Sequence, residues 1–459
     1  MPNKYDAVII GTGQSGPSLA ARLAGAGMRV AIVERKRFGG TCVNTGCVPT
    51  KTLVASARTA YVARRGADFG VMIDGDVRVD MKKVKARKDE IVRGSTTGVE
   101  KWLKSTENLT VYEGHGRFEG PGAVRVGDER IEAEKVFLNV GARASVPPIP
   151  GIEGVNYFTN TGMMEVDFLP GHLLILGGSY VGLEFGQMYR RFGSEVTIIQ
   201  RGRRLVSRED EDVSAAIREI VEREGVTVVT DTGDLRIEDR NGEIAVRMKC
   251  GGAPREAVGT HLLVATGRTP NTDDLGLDRA GIEVDERGYI RVDDELRTTA
   301  PGVWALGDCN GRGAFTHTSY NDFEIVAANL LEDDPRRVSD RIVTYGLFID
   351  PPLARVGMTE RQVRESGRKA LVAKKRMAHI GRAREKGETQ GFMKFLVDAE
   401  TKEILGAAVL GVGGDEVIHC VTDLMYAKAP YTVIQRAVHI HPTVAELIPT
   451  TLGELKPLE

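Results

Sequence analysis

Tyr5-Asp6-Ala7-Val8-Ile9-Ile10 runs without a break into Gly11-Thr12-Gly13-Gln14-Ser15-Gly16, and this junction decides the fold. A short apolar run closed by glycine predicts a buried parallel strand. The next stretch, Pro17 to Gly27, sets Leu19, Ala20, Leu23 and Ala24 at helical spacing, and Arg29 to Val33 is a second apolar strand that ends at Glu34. Strand, glycine turn, helix and strand with an acid at the far end make a nucleotide-binding unit. Gly11 makes the turn, Gly13 lets the backbone approach a pyrophosphate, and Gly16 lets helix and strand pack closely. The pyrophosphate then meets the positive end of the helix.

One such turn also arises for packing alone, but this chain repeats it. His172 to Leu176 is an apolar strand, and Gly177-Gly178-Ser179-Tyr180-Val181-Gly182 is the turn. A helix follows through Leu183 and Phe185 towards Arg191, and Glu195 to Ile199 is the next strand. Gly11 to Glu34 spans 23 positions, as does Gly177 to Gln200. Ser179 replaces the middle glycine and is small enough for close approach. The residue closing each unit reads a ribose. Glu34 can accept hydrogen bonds from a 2′-hydroxyl, which fits the adenosine of FAD. Gln200 is uncharged and is followed by Arg201, Arg203 and Arg204. A carboxylate there would repel a 2′-phosphate, and arginines would hold one. The second unit therefore predicts NADPH, with NADH possible.

Further out, Val146-Pro147-Pro148-Ile149-Pro150-Gly151 and Thr269-Pro270-Asn271 read as boundaries. Phe137 to Gly141 and Leu262 to Gly267 are strand-then-glycine crossings, and Val303 to Leu306 is a strand ending in Gly307-Asp308. After about residue 340 the pattern changes, with strands at Gly391 to Val397 and Ile404 to Leu410 before helical stretches. At 459 residues the chain is too long for one core. A net charge of −2 gives no reason to expect nucleic acid or an anionic membrane as partner. The absence of a signal-peptide h-region and of a long apolar stretch predicts a cytoplasmic protein with no membrane span.

The five cysteines are too few and too scattered for a secreted disulfide scaffold. Cys250, Cys309 and Cys420 stand alone, whereas Gly39-Gly40-Thr41-Cys42-Val43-Asn44-Thr45-Gly46-Cys47-Val48-Pro49-Thr50-Lys51 holds a close pair. In a regular helix Cys42 and Cys47 would lie roughly 7.5 Å apart along the axis and about 140° apart around it. A disulfide needs Cα atoms about 5.5–6 Å apart. Pairing thus requires Cys42 on a distorted turn leading into a helix, with Gly46 helping the backbone bend. A thiolate near that helix start would be stabilised by the dipole. Two ordinary buried thiols, or half of a metal site, are the alternatives.

This stretch resembles the redox motif of the class I pyridine nucleotide–disulfide oxidoreductases, which include glutathione reductase, dihydrolipoamide dehydrogenase and mercuric reductase. The resemblance covers nearly the whole chain: both nucleotide turns, Ala265-Thr266-Gly267, Gly307-Asp308 and His441-Pro442-Thr443-Val444-Ala445-Glu446. It implies an α/β fold with two Rossmann-like nucleotide-binding domains and a C-terminal α+β dimerisation domain. The expected division is 1–146 and 270–340 for FAD, 147–269 for NAD(P)H, and 341–459 for dimerisation. It also implies roles. Cys47 would be the thiol next to the flavin and Cys42 the interchange thiol that meets substrate. Lys51 and Glu184 would pair beside the flavin, Asp308 would hold its ribityl chain, and Tyr180 would be the lid over the nicotinamide pocket. His441, oriented by Glu446, would act as acid/base on a second subunit's disulfide, so a homodimer is expected.

Three family members compete. Ala21 stands where glutathione reductases usually place an arginine, although Arg22 adjoins it. Gln200 stands where dihydrolipoamide dehydrogenases carry an acid. No cysteine follows Cys420, and His441 stands where mercuric reductases usually carry a tyrosine; the N-terminal metal-binding domain that many of them have is not expected here. Pro351-Pro352-Leu353-Ala354-Arg355-Val356-Gly357-Met358-Thr359 and Phe315-Thr316-His317-Thr318-Ser319-Tyr320-Asn321-Asp322 are similar to mercuric-reductase-like flavoproteins and to the reactive-chlorine-resistance group. The expectation is an NADPH oxidoreductase acting on a small disulfide or a soft metal ion, with His439, His317, Arg382 and Arg384 as further pocket candidates. A glutathione- or lipoamide-type enzyme, or a flavin-based redox sensor with little turnover, would be the alternatives.

Overall fold

The structure is a computed structural model that describes residues 3–332 and 334–459. The first sheet is built on Asn3–Ile10, which pairs in parallel with Val30–Glu34 on one side and Glu129–Leu138 on the other. Leu109–Glu113 extends the first side. An antiparallel meander through Gly116–Gly120 and Ala123–Val126 extends the other. Val303–Ala305 pairs with Glu129–Leu138, so the chain re-enters this sheet after building the second unit. Ala7, Val8 and Ile9 are wholly buried, as a strand covered on both faces requires.

The first helix is Ser15–Gly25 rather than Pro17 to Gly27. It starts earlier because Pro17 falls in the first turn, where a missing N–H costs nothing. It stops at Gly25, and Gly27 then turns the chain at φ 87°. In the second unit, Thr227–Val229, Glu195–Ile199, His172–Leu176, His261–Val264 and Tyr157–Phe158 form a parallel sheet. A three-stranded antiparallel sheet, Thr232–Arg240, Glu243–Cys250 and Ala253–Gly259, covers it.

The C-terminal part is a six-stranded sheet centred on Leu353–Gly357, Ile404–Leu410 and Phe392–Asp398, with the helix Gly414–Tyr426 packed against it. The strand expected at Gly391 begins one residue later. Gly391 adopts φ 90°, and a Cβ there would stand 2.0 Å from the Leu410 carbonyl oxygen. Buried charges join the parts. Arg355, 1% exposed, is held between Glu209 and Asp210. Lys394 places its ammonium 2.8 Å from Asp210, Asp212 and Glu360, at the centre of the acid cluster where a metal would otherwise stand. Arg191 bridges Glu224 and Asp350, and Arg58 reaches Asp350 and Glu388. Among the described residues no helix is long and apolar enough to cross a membrane.

Candidate active site

Cys42 lies in a short helix, Gly40–Asn44, and Cys47 opens the long helix Cys47–Arg64. The expected irregularity lies on both sides of Cys42: Gly39 and Gly40 adopt φ 90° and 61° where the short helix begins, and Thr45 and Gly46 break the backbone between the two helices. The Asn44 amide fixes the short helix by donating to the Phe38 and Gly40 carbonyls at 2.8 and 2.9 Å. A Cβ on Gly46 would stand 2.9 Å from the Thr41 carbonyl oxygen, so glycine lets the chain fold back until the two thiols meet.

The pair shares one proton unequally. The Cys47 thiol is pushed down to about 6, first by the hydrogen bond from Cys42, against the opposing cost of burial, then by the Thr316 hydroxyl and the Lys51 charge. Cys42 is pushed up because its proton is held against the Cys47 sulfur and because it is buried. Thr316 Oγ1 lies 3.1 Å from Cys47 Sγ and opens the helix Thr316–Leu331. Two helix N-termini therefore converge on this sulfur, and both favour an anion there. Cys47 is exposed to solvent, and Cys42 is half-buried beside it.

Lys51 Nζ donates to Glu184 at 2.8 Å, and the second Glu184 oxygen accepts from the Phe348 backbone N–H at 3.0 Å. Lys51 also lies over the Phe348 ring. Asp308 is pushed up by burial and has Arg268 Nε 3.5 Å away. That nitrogen is buried without a hydrogen-bond partner. A carboxyl and a guanidinium left underused side by side fit a polar, hydroxyl-rich ligand such as the ribityl chain of FAD.

The two nucleotide turns are built alike. A Cβ on Gly11 would stand 2.3 Å from the Asn139 carbonyl oxygen, and one on Gly177 would stand 2.3 Å from that of Ala265. Both turns thus press on the end of their own third strand. Gly16 and Gly182 in turn leave no room for a Cβ against the carbonyls of Gly11 and Gly177. The difference at the middle position has a physical cause. A Cβ on Gly13 would meet the Asn139 side-chain oxygen at 2.7 Å, but Ala265 has no such side chain, so Ser179 fits. Glu34 accepts from Thr12 N at 3.1 Å, and Gln200 accepts from Gly178 N at 2.9 Å. With its oxygen so used, the Gln200 NH₂ group lies beside Gly202, and the neighbouring Arg201 and Arg203 are exposed.

Tyr180 opens the second unit's helix and sits in an aromatic cluster with Phe315 and Tyr345. His317 stacks on Phe315 and bonds the Thr344 carbonyl at 2.6 Å. His441 Nδ1 pairs with Glu446 at 2.9 Å, but the imidazole is 81% exposed and flanked by the bare apolar side chains of Val438 and Ile440. Arg382 pairs with Glu385, just before the segment where Gly387 meets Arg65 at the far end of the Cys47–Arg64 helix. Arg384 is exposed. Cys309 is wholly buried, and Cys250 and Cys420 are bonded to nearby carbonyls. The residue pattern did not single out Asn139, Thr316, Phe315 or Tyr345. Phe315 and Thr316 belong to the family-like stretch Phe315 to Asp322, and Asn139 to a strand-then-glycine crossing, but nothing in the sequence pointed to Tyr345.

Residues 5–322 match the family profile described as pyridine nucleotide-disulphide oxidoreductase, and residues 343–452 match that of its dimerisation domain. The probable pyridine nucleotide-disulfide oxidoreductase RclA of Escherichia coli is 40% identical over 97% of this chain and 98% of its own length. That protein, solved as a "Cu(II) complex of HOCl-induced flavoprotein disulfide reductase", superposes with a TM-score of 0.89 over 98% of this chain and 99% of its own. A dihydrolipoyl dehydrogenase of Thermus scotoductus is 34% identical over 96% of this chain and 95% of its own. A mercuric reductase of Streptomyces lividans is also 34% identical, over 97% and 94% respectively.

Proposed function

Because the chain belongs to the pyridine nucleotide-disulphide oxidoreductase family of flavoprotein enzymes, which use FAD and NAD(P)H, we propose that it passes electrons from NADPH to the Cys42–Cys47 pair and on to a small disulfide or a soft metal ion. The observation that carries this reading is the exposed Cys47 thiol, made acidic by Cys42, by the Thr316 hydroxyl 3.1 Å away and by the Lys51 charge. FAD, when bound, relays the electron pair between nicotinamide and sulfur. Gly11, Gly13, Gly16 and Glu34 would hold its adenosine half, and Lys51, Glu184 and Asp308 its flavin half. Gly177, Gly178, Gly182, Tyr180, Gln200, Arg201 and Gly267 would hold the nicotinamide nucleotide. On this reading 1–146 and 270–340 serve FAD, 147–269 the nicotinamide nucleotide, and 341–459 dimerisation.

Two electrons open the disulfide, leaving Cys47 as thiolate and Cys42 as the thiol that meets substrate. Cys42 gives its proton to His441 and attacks a substrate sulfur. The first product thiol leaves, and Cys47 then displaces the second and re-forms the pair. With a copper acceptor the thiolate–thiol pair gives one electron to each of two Cu(II) ions, re-forms the disulfide and releases the single proton of Cys42. The Cu(II) complex of the E. coli relative and the softness of thiolate ligands favour copper among metal acceptors. His441 would serve the Cys42 of a second copy, which the exposure of His441, Val438 and Ile440 and the dimerisation-domain match support. Unpaired thiols beyond the redox pair fit the cytoplasm as the site of action.

The test is steady-state turnover of the FAD-loaded protein with NADPH against glutathione disulfide, lipoamide, Hg(II) and Cu(II). Sustained turnover with at least one acceptor, lost in Cys42→Ser, is expected. A single reduction followed by arrest with every acceptor would instead make the protein a sensor.

A further inference from the structure

Tyr180 does not stand alone. Its ring meets Phe315 edge-on at 5.6 Å and Tyr345 edge-on at 5.9 Å, and those two rings stack on each other 5.6 Å apart. Tyr345 is also fixed at its far end. Its hydroxyl donates to Glu209, whose side chain is 1% exposed and whose other oxygen accepts from Arg355 Nε at 2.7 Å. A phenylalanine would fill the same space against Tyr180, so packing alone does not require the hydroxyl. A charge-assisted bond to a carboxylate that is itself clamped takes away the ring's freedom to swing.

Glu209 belongs to the segment that follows Gln200. Its N–H donates to the Val206 carbonyl at 2.8 Å, Val206 N–H to the Gly178 carbonyl at 2.9 Å, and Gly178 N–H to the Gln200 side-chain oxygen at 2.9 Å. Val206 holds φ 39°, a sparse conformation for a β-branched residue that only firm surroundings maintain. A continuous path thus runs from Gln200, through the glycine turn, to the carboxylate that grips Tyr345.

We propose that Tyr345, tethered by Glu209, is the positioning residue for the Tyr180 lid and ties the lid to the segment that reads the adenosine end of the nucleotide. This rests on the reading of Tyr180 as the nicotinamide lid. A tethered ring holds the lid closed over the flavin. Cutting the tether lets the lid open more readily, so NADPH binds with less opposition and the reduced flavin is less shielded from oxygen.

The test uses the FAD-loaded enzyme in stopped flow, comparing Tyr345→Phe, Tyr180→Ala and the double variant. Tyr345→Phe is expected to speed reoxidation by oxygen and to lower the apparent Kd for NADPH, each roughly threefold to tenfold, the span of one net hydrogen bond. The thiolate–flavin absorbance should not change. The double variant should match Tyr180→Ala, because Tyr345 acts through Tyr180. Adenosine 2′,5′-bisphosphate, which carries the adenosine end without a nicotinamide, should alter the reoxidation rate of the parent but not of Tyr345→Phe. A Tyr345→Phe enzyme identical to the parent, or additive effects in the double variant, overturns the tether while leaving the lid intact. No response of the parent to the bisphosphate overturns the tie to the adenosine segment. A Tyr180→Ala enzyme identical to the parent overturns the lid itself.

Discussion

Cys47 owes its acidity to Cys42, Thr316 and Lys51, and only two of these neighbours are close to it in sequence. Cys42 and Lys51 could be read from one motif. Thr316 stands 269 positions away, and only the folded chain brings its hydroxyl to the sulfur. A thiol held at about 6 is the anion above that pH and the neutral acid below it. Signals that depend on the Cys47 thiolate should therefore be complete near pH 8 and fade as the pH drops through about 6. Lys51→Met removes the positive charge, so that midpoint must move up in a pH titration of the long-wavelength absorbance. The same variant leaves the Glu184 carboxylate, 7% exposed, with only the Phe348 N–H. Urea unfolding should show a loss of about 1–3 kcal/mol, the cost of an unmade buried hydrogen bond.

The two nucleotide turns show that a position takes its meaning from the element it presses on. Gly13 faces the Asn139 side chain, whereas Ser179 faces a site where Ala265 leaves room. Gly13→Ser should therefore weaken flavin retention, measured as FAD bound per chain after gel filtration, while Ser179→Gly should leave it unchanged. The same logic applies at the end of the second strand. Gln200→Glu removes the NH₂ donor and adds a charge, so the NADPH-to-NADH ratio of kcat/KM should fall at least tenfold, about 1.4 kcal/mol. Elements with a one-sided message were legible: the buried strands, the glycine turns and the break at Gly46. The helix Met81–Ser105 was not, because only Met81, Lys88, Val92 and Leu103 of its 25 residues are buried and its apolar face is too thin to show a period. The ordering of the aromatic cluster was not legible either, since Tyr180, Phe315 and Tyr345 come from three distant segments.

At the scale of the molecule, the proposed reaction needs two chains. His441 and Glu446 form a pair whose imidazole is exposed, and the apolar residues Val438 and Ile440 beside it are uncovered among the described residues. Cys42→Ser and His441→Ala should each be inactive alone. Dimers mixed from the two variants should regain activity, because one of their two sites then combines an intact thiol with an intact imidazole. The central claim is that the nicotinamide nucleotide delivers its electrons to the Cys42–Cys47 pair through bound FAD. It is tested most directly by anaerobic titration of the FAD-loaded protein with NADPH at pH 8, followed by absorbance. One equivalent should produce a long-wavelength charge-transfer band from the Cys47 thiolate beside oxidised flavin, absent in Cys47→Ser and lost on acidification through about pH 6. Direct bleaching of the flavin with no such band, together with a Cys47→Ser protein that behaves like the parent, would contradict the account.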